Sequence, residues 1–117
     1  MARVLVIDDE EMMRRLLVRV LTHLGHDVET ARDGDEGLHK FHDGTYDTVL
    51  TDLLMPTRDG METIHELRRT APGLRIVAMS GSFHPLSEEV RLAKAVGADC
   101  VLEKPFGMKD VANALAA

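Results

Sequence analysis

Asp8, Asp9, Asp52, Ser80 and Lys104 are scattered along the 117-residue chain, yet each stands at the downstream end of a short apolar run. The first run, "VLVIDDEE" from Val4 to Glu11, drives branched apolar residues straight into consecutive carboxylates. Carboxylates held together repel one another, and the repulsion raises at least one pKa unless a cation offsets it. Asp8, Asp9 and Asp52, if gathered, therefore predict a cation. Oxygen donors without histidine or cysteine at the run ends favour a hard ion, Mg2+ or Mn2+, over zinc or copper. Magnesium is commonly held by one or two carboxylates, waters and phosphate oxygens, so a phosphoryl group is the ligand this set lacks. Lys104 supplies a mobile positive charge and Ser80 a hydroxyl donor, the groups that hold phosphoryl oxygens during in-line transfer. Asp52 is then a credible nucleophile that forms an acyl phosphate. The chain contains no "GxxxxGK" and no "GxGxxG", so the phosphoryl donor is expected on a partner or a small molecule rather than on a nucleotide bound here.

These residues can meet only if the segments before them form one sheet. Short apolar runs alternate with longer segments of helical period, the pattern of βα repeats around a parallel sheet. Strands are predicted at Arg3–Asp8, Asp27–Ala31, Thr48–Asp52, Arg75–Ser80 and Cys100–Glu103, each followed by a helix. "DVETA" at Asp27–Ala31 alternates polar and apolar, which places it at a sheet edge; the others read as runs buried on both faces. In the first helix, Met13, Leu16, Leu17, Val20, Leu21 and Leu24 fall on one face, with Gly25 as its C-terminal cap. Pro72 closes the third helix. Right-handed crossovers make a doubly wound α/β fold the simplest solution, and the strand order 2-1-3-4-5 sets the ends of strands one and three side by side, where ligands bind.

Composition limits what such a site can serve. The chain is 44% hydrophobic, the size of one domain with one core, expected over residues 1–117. A net charge of -6 with no basic run argues against direct nucleic-acid binding. A single cysteine, Cys100, excludes an internal disulfide, and its apolar neighbours predict a small buried thiol in a reducing compartment. No apolar run approaches the roughly 20 residues that span a bilayer, and no export signal is evident, so a cytoplasmic protein is expected. Acids at a helix start are ordinary, because the macrodipole favours them; that accounts for Glu10 and Glu11 but not for Asp52 and Lys104. The pairs His23/His26 and His39/His42 have metal-compatible spacing but no third ligand and read as surface; the methionines read as packing filler.

"VLVIDDEE", "TDLLMPTRDG", "AMSGS" and "KPF" occur in an order and spacing that closely resemble the bacterial response-regulator receiver domain, the phospho-accepting partner of a sensor histidine kinase in two-component signalling. The resemblance spans essentially the whole chain. It implies a (βα)5 flavodoxin-like fold, a signalling module rather than an enzyme, with Asp52 as phospho-acceptor. It further implies Mg2+ on Asp9 and Asp52, Asp8 acting through water, and the Leu54 carbonyl completing the protein's share of the metal shell. Ser80, Lys104 and the amides of Leu53 and Gly81 would contact phosphoryl oxygens, and Lys104–Pro105 would be cis. Partners would be a sensor histidine kinase or phosphotransfer protein, and a downstream target or an output domain outside this chain. The family docks its kinase on the first helix near the acid pocket, which makes Met12, Arg14 and Arg15 the candidate docking patch; Met12 and Val18 lie off the core stripe.

The chain departs from the family where an aromatic usually stands three residues before the lysine: here it is Val101. Activation is then expected to run through Ser80 and the following loop, or to be sensed near Asp52. Within that loop, "SGSFHPLSEE", Phe83, His84 and Pro85 are either a contact tip or a solvated connector. Leu54 is apolar where many relatives are polar, which is expected to hinder attacking water. Two other readings stay open. A haloacid-dehalogenase-like phosphatase also uses an aspartate nucleophile but wants "DxD" at the first strand. A degenerate receiver would bind partners without being phosphorylated.

Overall fold

The alternation of apolar and amphipathic segments becomes a regular βα repeat in the computed structural model, which describes residues 1–55, 59–81 and 88–116. The elements are β1 (Arg3–Ile7), α1 (Glu11–His23), β2 (Asp27–Ala31), α2 (Gly34–Asp43), β3 (Thr48–Asp52), α3 (Gly60–Thr70), β4 (Arg75–Ser80), α4 (Glu88–Val96), β5 (Cys100–Glu103) and α5 (Met108–Ala116). The strands form one parallel sheet in the order β2-β1-β3-β4-β5, so the alternating "DVETA" strand does lie at an edge. The doubly wound class and strand order read from the sequence are those observed.

Strand pleating assigns successive side chains to opposite faces. Leu5, Ile7, Val49, Ile76 and Ala78 pack with Leu38, Ile64, Leu67 and Ala93 on the side of α2, α3 and α4. Val4, Val6, Leu50, Val77, Met79 and Leu102 pack with Leu17, Leu21, Val111 and Ala114 on the side of α1 and α5. Burial on both faces is why β1, β3 and β4 read as unbroken apolar runs. Each fully buried Leu or Ile contributes about 1.5–3 kcal/mol, and these layers hold the register that aligns the strand ends.

Gly25 ends α1 at φ +93°, with its N–H on the Thr22 carbonyl and that of His26 on the Leu21 carbonyl, a Schellman closure. Two expectations are corrected. Leu16 is 46% exposed rather than part of the core stripe: that stripe is centred on Leu17 and Leu21, and a helix turns about 100° between neighbours. Cys100 is only half-buried, because β5 is the other edge of the sheet, and its Sγ lies 3.7 Å from the Arg75 guanidinium. Met12 is 78% exposed and Val18 half-buried, both off the stripe. Phe83, His84 and Pro85 lie outside the described residues.

Candidate functional site

Parallel pairing carries the carboxyl ends of β1, β3, β4 and β5 to one rim. Ile7 pairs with Thr51, Asp52 with Met79 and Ser80 with Glu103, so Asp8, Asp52, Ser80 and Lys104 emerge side by side. Asp8 and Asp52 are buried and Asp9 is exposed, and carboxylate oxygens of all three lie within 4.8 Å of one another. Among the described residues, no other group of three or more His, Cys, Asp or Glu is gathered in this way. One member of each histidine pair is engaged elsewhere: His39 Nε2 is 3.3 Å from Asp43, and His26 Nδ1 accepts the Ala2 amide.

Lys104 Nζ stands 3.3 Å from Asp8 Oδ2, 3.4 Å from Asp52 Oδ2 and 3.8 Å from Glu10 Oε1. Its amide donates to the Ser80 carbonyl at 2.7 Å, and the Lys104–Pro105 peptide is cis. Burial pushes the Asp8 carboxyl above the ordinary aspartate range, against the Glu10 N–H and Lys104, which favour the anion. Asp52 is likewise raised, first by burial and then by the Asp8 charge, with Lys104 and the Leu54 N–H opposing. Burial alone would lower Lys104, but the Asp52 and Asp8 carboxylates outweigh it and hold its ammonium above the ordinary value. Among the described residues, the three gathered carboxylates outnumber the single ammonium, Lys104, placed between them, which suits an oxygen-liganded divalent cation.

Backbone detail rearranges the expected roles. The Leu53 N–H, expected to face a phosphoryl group, donates to the Met79 carbonyl at 3.1 Å and continues the β3–β4 ladder. It is the N–H of Leu54 that hydrogen-bonds the Asp52 carboxylate, while the Leu54 side chain is 71% exposed beside it. Gly81 is exposed directly after Ser80. Of the suggested docking residues, Met12 stands free, and Arg15 makes an exposed pair with Glu11 at 3.2 Å. Arg14 instead donates to the Asp8 carbonyl at 2.7 Å and anchors the start of α1 to the acid pocket. Two further contacts had no sequence signal: Ser80 Oγ donates to Glu89 Oε1 at 2.8 Å, and Gly60 sits directly under the Asp52–Leu53 backbone.

Five parallel strands with an aspartate cluster and a lysine at their carboxyl ends define a phospho-accepting signalling module of the two-component type. The chain belongs to the response regulator receiver domain family, whose profile matches residues 4–116. It is 38% identical over 109 residues to response regulator MprA of Mycobacterium sp. (strain KMS), covering 93% of this chain and 46% of that protein. It therefore spans about half the length of this curated relative. The fold matches chemotaxis protein CheY4 of Vibrio cholerae with a TM-score of 0.90 at 32% identity, covering 98% of this chain and 96% of that one. It matches response regulator protein TrrA of Thermotoga maritima, solved in complex with Mg2+-BeF, with a TM-score of 0.87 at 33% identity and the same coverage. Among the described residues, no helix is long and apolar enough to cross a membrane.

Proposed function

We propose that Asp52 accepts a phosphoryl group from a histidine kinase or histidine phosphotransfer protein. An Asp52 carboxylate oxygen forms the new bond to phosphorus as the phosphorus–nitrogen bond of the phosphohistidine breaks, and the departing imidazole takes up a proton. The observation that carries this reading is the buried Asp52 carboxylate, 3.4 Å from Lys104 Nζ and gathered with Asp8 and Asp9. Asp8, Asp9, Asp52 and the Leu54 carbonyl would hold Mg2+ or Mn2+, whose positive charge offsets the repulsion between acceptor and incoming phosphate. Lys104 would screen the transferring group and the Leu54 N–H would orient the acceptor; Ser80 and the Gly81 amide are further candidate donors at the end of β4. The exposed Met12 and Arg15, with Arg14 behind them, are our candidate surface for the phosphodonor. We place the module, residues 1–117, in the cytoplasm, acting on a protein target or an output domain outside this chain.

Intact mass after incubation with Mg2+ and acetyl phosphate tests the reading. One added phosphoryl mass is expected on the wild type and none on Asp52→Ala. No gain on either folded protein would instead favour a phosphorylation-independent binding module. Leu54 allows a second expectation: its exposed apolar side chain beside Asp52 hinders approach of water to the acyl phosphate. Leu54→Asn is expected to speed loss of the phosphoryl group several-fold in a chase without donor, and equal decay rates would refute the shielding role.

A further inference from the structure

Ser80 is fully buried at the end of β4, and its hydroxyl donates to the Glu89 carboxylate of α4 at 2.8 Å. It lies one residue beyond Met79, the cross-strand neighbour of Asp52, and its carbonyl holds the Lys104 amide. A serine hydroxyl has one proton to donate. While that proton lies on Glu89, it is not offered to a phosphoryl oxygen on Asp52. Glu89 is half-buried in the first turn of α4, and a carboxylate acceptor makes the stronger, charge-assisted kind of hydrogen bond.

The geometry points to Glu89 as a positioning residue that competes with the phosphoryl group for the Ser80 hydroxyl. This deepens the proposed function and rests on Asp52 being the phospho-acceptor. Phosphorylation exchanges one acceptor for the other: the Ser80 hydroxyl turns from Glu89 to the phosphoryl oxygen, and the first turn of α4 loses this one hydrogen bond to β4. Such a tie provides a route to the surface that Val101 does not, since a half-buried valine has no ring to swing outward. Linkage makes the coupling reciprocal. A partner that engages the Glu89 carboxylate frees Ser80 and thereby favours the phosphorylated form.

Beryllofluoride with Mg2+ is the probe, and its affinity is measured by calorimetry for wild type, Glu89→Ala, Glu89→Gln, Ser80→Ala and the double variant Ser80→Ala/Glu89→Ala. Glu89→Ala is expected to bind about tenfold more tightly than wild type, the scale of one hydrogen bond to a charged group. Glu89→Gln, which keeps an uncharged acceptor, is expected to gain less. In the Ser80→Ala background, removal of Glu89 should change nothing, because the competition has lost its object. Equal affinities for wild type and Glu89→Ala overturn the proposal. So does an equal gain in both backgrounds, which assigns the effect to removal of a negative charge. If wild type neither binds beryllofluoride nor gains phosphoryl mass, the phospho-acceptor reading fails and this inference falls with it. Binding by wild type with no change in Glu89→Ala sinks the competition alone.

Discussion

Gly60→Ala is expected to lower the unfolding midpoint by on the order of 10–15 °C, corresponding to about 3 kcal/mol for a domain of this size. Gly60 is the buried first residue of α3, and its N–H donates to the Leu53 carbonyl at 3.0 Å. A Cβ built there overlaps the Asp52 carbonyl oxygen and stands 2.6 Å from Leu53 Cα. Both are backbone atoms at the end of β3, so no side-chain rotation relieves the clash. Either α3 moves off the sheet, opening a gap under Ile64 and Leu67, or the strand end carrying Asp52 shifts. Reaction geometry is sensitive to displacements of about 1 Å, which can cost on the order of 100-fold in rate. Phosphorylation by acetyl phosphate should therefore slow by at least tenfold in whatever fraction stays folded. Gly73→Ala is the control: no atom lies within 4 Å of its Cβ, and its φ is not positive, so its effect should stay within about 0.5 kcal/mol. Equal midpoints for the two variants would show that the α3–β3 approach has room to spare.

The contrast between Gly60 and the rest of the site marks what a sequence reveals. Asp8, Asp52, Ser80 and Lys104 were legible because parallel strands must end on one rim, and a strand's end is visible where an apolar run meets a polar residue. The edge position of β2 was legible from Glu29 and Thr30, polar residues that a central strand buried on both faces would not carry. Leu16 was misplaced because an apolar stripe about 100° wide admits a residue one step off its centre, and only packing against the sheet decides which step is covered. Cys100 was misplaced because its neighbours in sequence are apolar while its neighbours across the sheet are missing on one side. Neither the Leu54 amide nor the Glu89 carboxylate left a trace. The first depends on the direction in which the backbone leaves β3. The second is a contact across the β4–α4 connection, where periodicity assigns faces but not partners.

Lys104→Met should expose the electrostatic balance of the pocket. In the absence of divalent cations at neutral pH, the variant is expected to be less stable by about 3 kcal/mol, because Asp8 and Asp52 are left buried without their shared counter-ion. The loss should depend on pH in a definite direction. Both aspartates have folded pKa values above the ordinary one, so between those two values the folded protein holds more protons than the unfolded chain. Stability therefore falls as pH rises through that window, and the penalty is complete above the folded pKa values. Lys104, held above its ordinary value, contributes stability that is present below that value and lost as pH rises through the raised one. Replacing it removes this contribution and pushes both carboxyls higher still, extending the acidic window upward. Urea denaturation should then show the variant gaining on wild type as the pH is lowered from neutral through the raised carboxyl values, where both carboxyls take up protons in either protein. Added Mg2+ at neutral pH should recover more stability in the variant than in wild type, since the cation then carries the whole neutralisation. A wild-type advantage that stays constant from pH 8 to pH 4 would mean that the Lys104 side chain stabilises by packing alone. The pocket would then not be held together by the opposition of its charges.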